Sequence, residues 1–131
     1  MQHAIAYQTA KREKREVSVD KLRQRRMDKF LAGLTHLELV GDFHSHPEQN
    51  VLNDSYKLSK DDKKSMDIKN LGIVIVAQED REKREWEHLE KGSLLGSVNP
   101  YSLRITSWFK QREMKYQIAE IHCPFALGLK R

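Results

Sequence analysis

Two histidines two residues apart, His44 and His46, close an alternating segment and are followed at once by Pro47. Side chains at i and i+2 of a strand leave the same face, so both imidazoles can converge on one cation. A lone histidine on an apolar face is usually a satisfied core residue, whereas a same-face pair ending at a proline points toward metal. Downstream, Ser59-Lys60-Asp61-Asp62 offers a carboxylate as third donor. Asp62 is one candidate, Asp61 is its register-shifted competitor, and Asp54 lies in the intervening loop. Two histidines and one aspartate with an open fourth position form a set that zinc accepts when it must also hold a reactive water. The same Ser-x-x-Asp run also reads as a helix capping box, with Ser59 accepting a backbone N–H and Asp62 favouring the positive helix end.

The pattern His-x-His-Pro, a gap, then Ser-x-x-Asp resembles the JAMM motif of MPN-domain metalloproteases. The segment 37 to 43 before the motif, a helix from 59 to 70 after it and an apolar strand from 71 to 77 follow in that family's order, and the resemblance covers residues 3 to 125. It implies an α/β fold, a mixed and mostly antiparallel sheet flanked by helices, with MPN-like (cytidine-deaminase-like) architecture. It selects Asp62 among the carboxylates, so that His44, His46 and Asp62 hold one Zn2+ with a bound water. It also implies a Ser59 hydroxyl aimed at the developing oxyanion. The implied reaction is hydrolysis of peptide or isopeptide bonds at ubiquitin-like or carrier-protein conjugates.

The family's general base is a glutamate from an upstream segment resembling Glu-x-x-Gly-x-Leu-x-Gly, and no such segment is present here. The first glycine is Gly33, and the upstream acids Glu13, Glu16, Asp20, Asp28 and Glu38 stand in other contexts. Glu38 shares the histidines' side of its strand, yet six residues of extended chain put it about 20 Å from His44. By this alignment the family's first helix and glutamate-bearing strand are missing. Zinc binding is then expected to survive and hydrolysis to be reduced, since a proton shuttle contributes about 10²- to 10⁴-fold. An exposed sheet edge is expected to favour a homodimer or another chain that supplies the strand. A non-catalytic MPN scaffold that binds a protein partner is the alternative of a different class.

At 131 residues the chain is expected to form a single domain, residues 1 to 131. No apolar run reaches membrane-spanning length and no signal-peptide hydrophobic region opens the chain, so no membrane partner and a cytoplasmic setting are expected. The single Cys123 excludes an internal disulfide and a thiolate zinc cage, and reads as a buried structural thiol. The formal net charge of +5 is concentrated in residues 11 to 29, where nine basic side chains face four acidic ones. A basic stretch can bind nucleic acid, but the interspersed acids and the absence of aromatic side chains to stack on bases favour a solvated helix face.

Periodicity sets out the elements that must position these groups. Residues 2 to 9, with His3, alternate as a short strand, and a charged turn follows. Ser18 or Asp20 can cap a helix carrying Leu22, Met27, Phe30, Leu31 and Leu34 on one face, with Gly33 near its stop. From residue 37 the period becomes two, with Leu39 and Phe43 on one side and His44 and His46 on the other. The β-branched run from 71 to 77 predicts a strand buried on both faces, beside the histidine strand, with the Ser59 helix as crossover. Residues 79 to 91 predict a short helix or an exposed insertion whose Trp86 either packs or meets a partner, and 92 to 100 predict turns. Residues 101 to 109 and 116 to 123 predict an antiparallel pair joined by 110 to 115, with His122 structural.

Overall fold

The structure, a computed structural model, describes residues 10–12, 17–46, 51, 56–89 and 91–121, with the backbone alone at 10–12 and 17–19. The chain forms two compact units, Met1–Leu39 and Val40–Arg131. The strand expected at 2 to 9, His3, His122 and Cys123 lie outside the described residues.

In the first unit, β1 (Ala10–Arg12) pairs antiparallel with β2 (Val17–Val19), so strands stand where a charged turn is expected. Helix α1 (Lys21–Ala32) follows. Asp20 is its cap, accepting the N–H of Leu22 and of Arg23 at 3.0 and 3.2 Å, while Ser18 belongs to β2. Gly33 closes the helix in an ordinary right-handed conformation, its N–H donating to Phe30 O, so the stop is a simple turn. Lys21, Arg23, Arg25, Arg26 and Lys29 are exposed, as a solvated basic face requires. Met27 is buried, whereas Leu22 and Phe30 stay more than half exposed.

The second unit is α/β, with a mixed six-stranded sheet and a short helix. Its elements are β3 (Gly41–His46), α2 (Lys60–Ser65), β4 (Leu71–Glu79), β5 (Glu87–His88), β6 (Leu94–Val98), β7 (Tyr101–Arg112) and β8 (Lys115–Ala119). The order is β3-β4-β7-β6-β5, with β8 beside the far half of β7. β3 and β4 run parallel and every other pair is antiparallel. A parallel pair needs a crossover, and α2 lies within it. Among the described residues β3 is paired on one side only, which makes it an edge strand.

β3 is shorter at its start than the alternation of residues 37 to 46 predicts. Its pairing begins at Gly41 opposite Leu71, just past the bond from Leu71 N to Val40 O. The two backbones approach so closely there that a Cβ at position 41 would fall 1.9 Å from Leu71 O. Residues 37 to 40 therefore lie outside the ladder, and alternation alone could not reveal this.

One face of the sheet carries the core. Val74 and Val76 of β4 and Leu95 of β6 pack with Val51, Leu58 and Met66, with Leu89, Trp108 and Tyr116 at the margin. The opposite face of β4 is only half-buried at Leu71, Ile73 and Ile75, so the strand is not sealed on both sides as its composition suggests. α2 is also shorter than expected, because Met66 turns extended at its C-terminus and drops its thioether against Gly72.

Beyond β4, neither a helix nor a turn-rich run fits. Residues 80 to 86 are extended or bent and lead into β5, and Leu94–Val98 is a strand where turns are expected. β6 pairs antiparallel with β7, and the missing side chain of Gly96 leaves room for the Trp86 ring, which a Cβ would meet at 2.2 Å. β7 runs on to Arg112, and the hairpin to β8 turns at Glu113 and Met114, with Met114 left-handed at φ 59°. No helix among the described residues is long and apolar enough to cross a membrane.

Candidate metal centre

Register places the two histidines. His44 stands opposite Val74 and His46 opposite Val76, and both valines are core residues on the covered face of β4. The imidazoles thus leave β3 together, as the alternation implies, but on the core side, while Phe43 faces the other way and is exposed, at a sheet edge where solvent still reaches them. His44 keeps about a third of its side chain exposed and His46 about a fifth (32% and 19%).

The carboxylate arrives from the crossover helix. Ser59 caps α2, its Oγ accepting the Asp62 N–H at 3.1 Å, while Asp62 Oδ2 accepts the Ser59 N–H at 2.7 Å. The reciprocal box locks the Asp62 carboxylate at the first turn, and the three-residue spacing puts it over β3. The capping-box meaning of the Ser-x-x-Asp run is thus observed, and it sets the Asp62 carboxylate beside both imidazoles. Asp61, one residue earlier, is exposed and outside the cluster, and Asp54 lies outside the described residues.

The three side chains meet at their tips. His44 Nε2 is 3.1 Å from Asp62 Oδ1, His46 Nε2 is 3.1 Å from Asp62 Oδ2, and the two Nε2 atoms are 3.2 Å apart. This His44, His46 and Asp62 group could hold a metal ion. One ligand atom from each of the three residues lies within 4.8 Å of the other two.

Electrostatics within the cluster follow from mutual proximity. Asp42, with a carboxylate oxygen 3.8 Å from His44 Nδ1, and then Asp62 raise the His44 pKa to about 9 against the opposing effect of burial. Burial pushes Asp62 upward, but the bonds from His44, His46 and Ser59 outweigh it and hold the carboxyl well below the usual carboxylate range. Without metal, the cluster therefore holds its charge balance with a proton on His44. A cation taking Nε2 displaces that proton.

Sequence reasoning places Asp42 on the histidines' side of the strand but gives it no role. Its signal was the same period of two that aligned His44 with His46, since Asp42 stands opposite Gly72 on that face. Glu13 and Glu16 lie outside the described residues, and Glu38 belongs to the first unit. No family model, curated protein or solved structure matches the chain.

Proposed function

We propose that the second unit is a JAMM-like zinc centre of MPN-like architecture, of the hydrolase type that cleaves amide bonds at ubiquitin-like or carrier-protein conjugates. The observation that carries this reading is the convergence of His44, His46 and Asp62, with each Nε2 3.1 Å from one carboxylate oxygen and the two Nε2 atoms 3.2 Å apart. The mixed sheet supports it, with the histidine strand parallel to the next strand through a capped crossover helix.

His44, His46 and Asp62 would hold the ion. When bound, zinc supplies Lewis acidity and lowers the pKa of a coordinated water toward neutrality. Ser59 Oγ accepts from the Asp62 N–H, which leaves its hydroxyl hydrogen to donate to a carbonyl oxygen that becomes negative. The Asp62 carboxylate, fixed by the Ser59 N–H, keeps the ligand set from collapsing when substrate enters. The family's glutamate base has no counterpart in the sequence. With these residues alone, turnover is expected to fall about 10²- to 10⁴-fold short of a centre that has such a base.

That same missing base favours a second reading, a metal-stabilised MPN-like scaffold without hydrolysis. Equilibrium dialysis against zinc with elemental analysis, followed by chelator-sensitive cleavage of an isopeptide-linked ubiquitin-like conjugate, tests both. One zinc per chain, lost in His46→Ala, with slow chelator-sensitive cleavage fits the hydrolase. One zinc with no cleavage leaves the scaffold, and a folded chain that takes up no metal refutes the zinc centre.

A further inference from the structure

Asp42 shares the core-side face of β3 with both histidines, standing opposite Gly72 as His44 stands opposite Val74 and His46 opposite Val76. Its carboxylate approaches His44 from the side away from the cluster, with Oδ1 3.8 Å from Nδ1, while Nε2 of the same ring faces Asp62 and His46. Each nitrogen of this imidazole thus has an acidic neighbour. An imidazole that gives its Nε2 lone pair to a cation must carry its proton on Nδ1, and an anion beside Nδ1 stabilises that tautomer and fixes the ring.

A surface aspartate next to a histidine is commonplace, and Asp42 is 70% exposed. Two features set this one apart. The strand period obliges it to share the ligands' face, and the atom it faces is the one that a metal-bound His44 must protonate. Being exposed, it can also close the separation by rotating about its own side-chain bonds, with no movement of β3.

We propose that Asp42 is a positioning residue of the metal centre, its carboxylate taking the Nδ1–H of His44 and so committing Nε2 to the cation. This rests on the reading of His44, His46 and Asp62 as ligands. Asp42 lies on the far side of the ring from the open vertex, so it orients a ligand and does not serve as the general base.

Zinc titration of the full chain against a chromophoric chelator tests the assignment. Asp42→Asn is expected to weaken zinc binding about 10- to 100-fold, as loss of a ligand's hydrogen-bond partner typically does, with Asp42→Glu recovering most of it. Circular dichroism should show the fold retained. In zinc-loaded protein the His44 Nδ1–H resonance should be slow to exchange in the wild type and fast in Asp42→Asn, a change that a merely structural role would not produce. If Asp42→Asn binds zinc as tightly as the wild type while His44→Ala loses it, Asp42 has no such role and the centre stands. If the folded wild-type chain binds no zinc, the centre and this inference fall together.

Discussion

The covered face of the sheet holds two groups of polar side chains among apolar neighbours, and they are satisfied in opposite ways. Inside, Lys110 is 4% exposed and donates from Nζ to Met66 O at 2.8 Å, with Glu113 at 3.2 Å. Arg104 lies over the Tyr56 ring at 3.8 Å, and Trp108 donates from Nε1 to Tyr56 O at 2.9 Å. Here cations and donors meet carbonyls, rings and an acid, so the contacts named are complementary within the chain. At the rim, His44, His46 and Asp62 bring two ring nitrogens and a carboxylate to one spot. Two imidazole nitrogens 3.2 Å apart share at most one proton between them, so that arrangement is completed by a proton or by a metal. The difference is that the buried groups are satisfied within the chain, whereas at the rim three groups that could hold one ion converge on a single spot.

Substitution should separate the two regions cleanly. Lys110→Ala is expected to destabilise the fold by about 2 to 4 kcal/mol, because it removes a buried alkyl stem and strips Met66 O of its donor. Whatever remains folded should still bind one zinc. His46→Ala should show the reverse, a retained fold with a modestly lower melting temperature without metal and no gain with it. For the wild type, zinc at a hundredfold excess over its dissociation constant should add about 2.7 kcal/mol of stability, reversed by chelator. Should Lys110→Ala abolish zinc binding in folded protein, or His46→Ala leave it intact, the distinction between scaffold and centre fails.

Acidity offers a subtler break between the regions. The folded-state pKa of His44, raised to about 9, means that its contribution to the metal-free fold is complete below the unfolded value of 6.5 and is lost as pH rises through about 9. Asp62 is depressed, so its contribution is complete above the ordinary carboxylate range and disappears as pH falls through and below it. Metal-free melting temperature should therefore decline from near neutral to alkaline pH, and His44→Gln should flatten that decline. Zinc affinity should run the other way, rising with pH until His44 has lost its proton. An affinity that is flat across the same range would show that His44 is not a ligand.

What could be read in advance followed the strength of local pattern. His44 and His46 were legible because a period of two is strict, whereas Asp62 was chosen over Asp61 and Asp54 only by the family resemblance, since the Ser59 capping box alone would decide nothing. β4 and its parallel partner were legible from β-branched composition and the need for a crossover. β6 was not, since Gly92 to Pro100 reads as turns until Trp86 is seen lying across Gly96, a contact ten residues away in sequence. The true start of β3 was hidden for a related reason, because the backbone approach at Gly41 depends on Leu71. Lys110 likewise reads as a loop lysine, and only the extension of β7 to Arg112 turns it inward. Long-range contacts decided each of these, and no local period encodes them.

The smallest effect expected is at the hinge between the regions, Ser59, which belongs to both. As a cap, its hydroxyl accepts the Asp62 N–H, so Ser59→Ala should cost about 1 kcal/mol of stability. Ser59→Thr keeps a hydroxyl that can cap and should be near neutral for stability. Zinc affinity should fall only slightly in Ser59→Ala, because the Ser59 N–H that holds Asp62 Oδ2 belongs to the backbone and survives the substitution. Any chelator-sensitive hydrolysis should drop far more than affinity does, since an oxyanion donor contributes about 10²- to 10³-fold to turnover. Calorimetric zinc titration and a cleavage assay on the same two variants separate these roles. Equal losses in affinity and turnover would reduce Ser59 to a helix cap, and an unchanged turnover would remove the oxyanion role altogether.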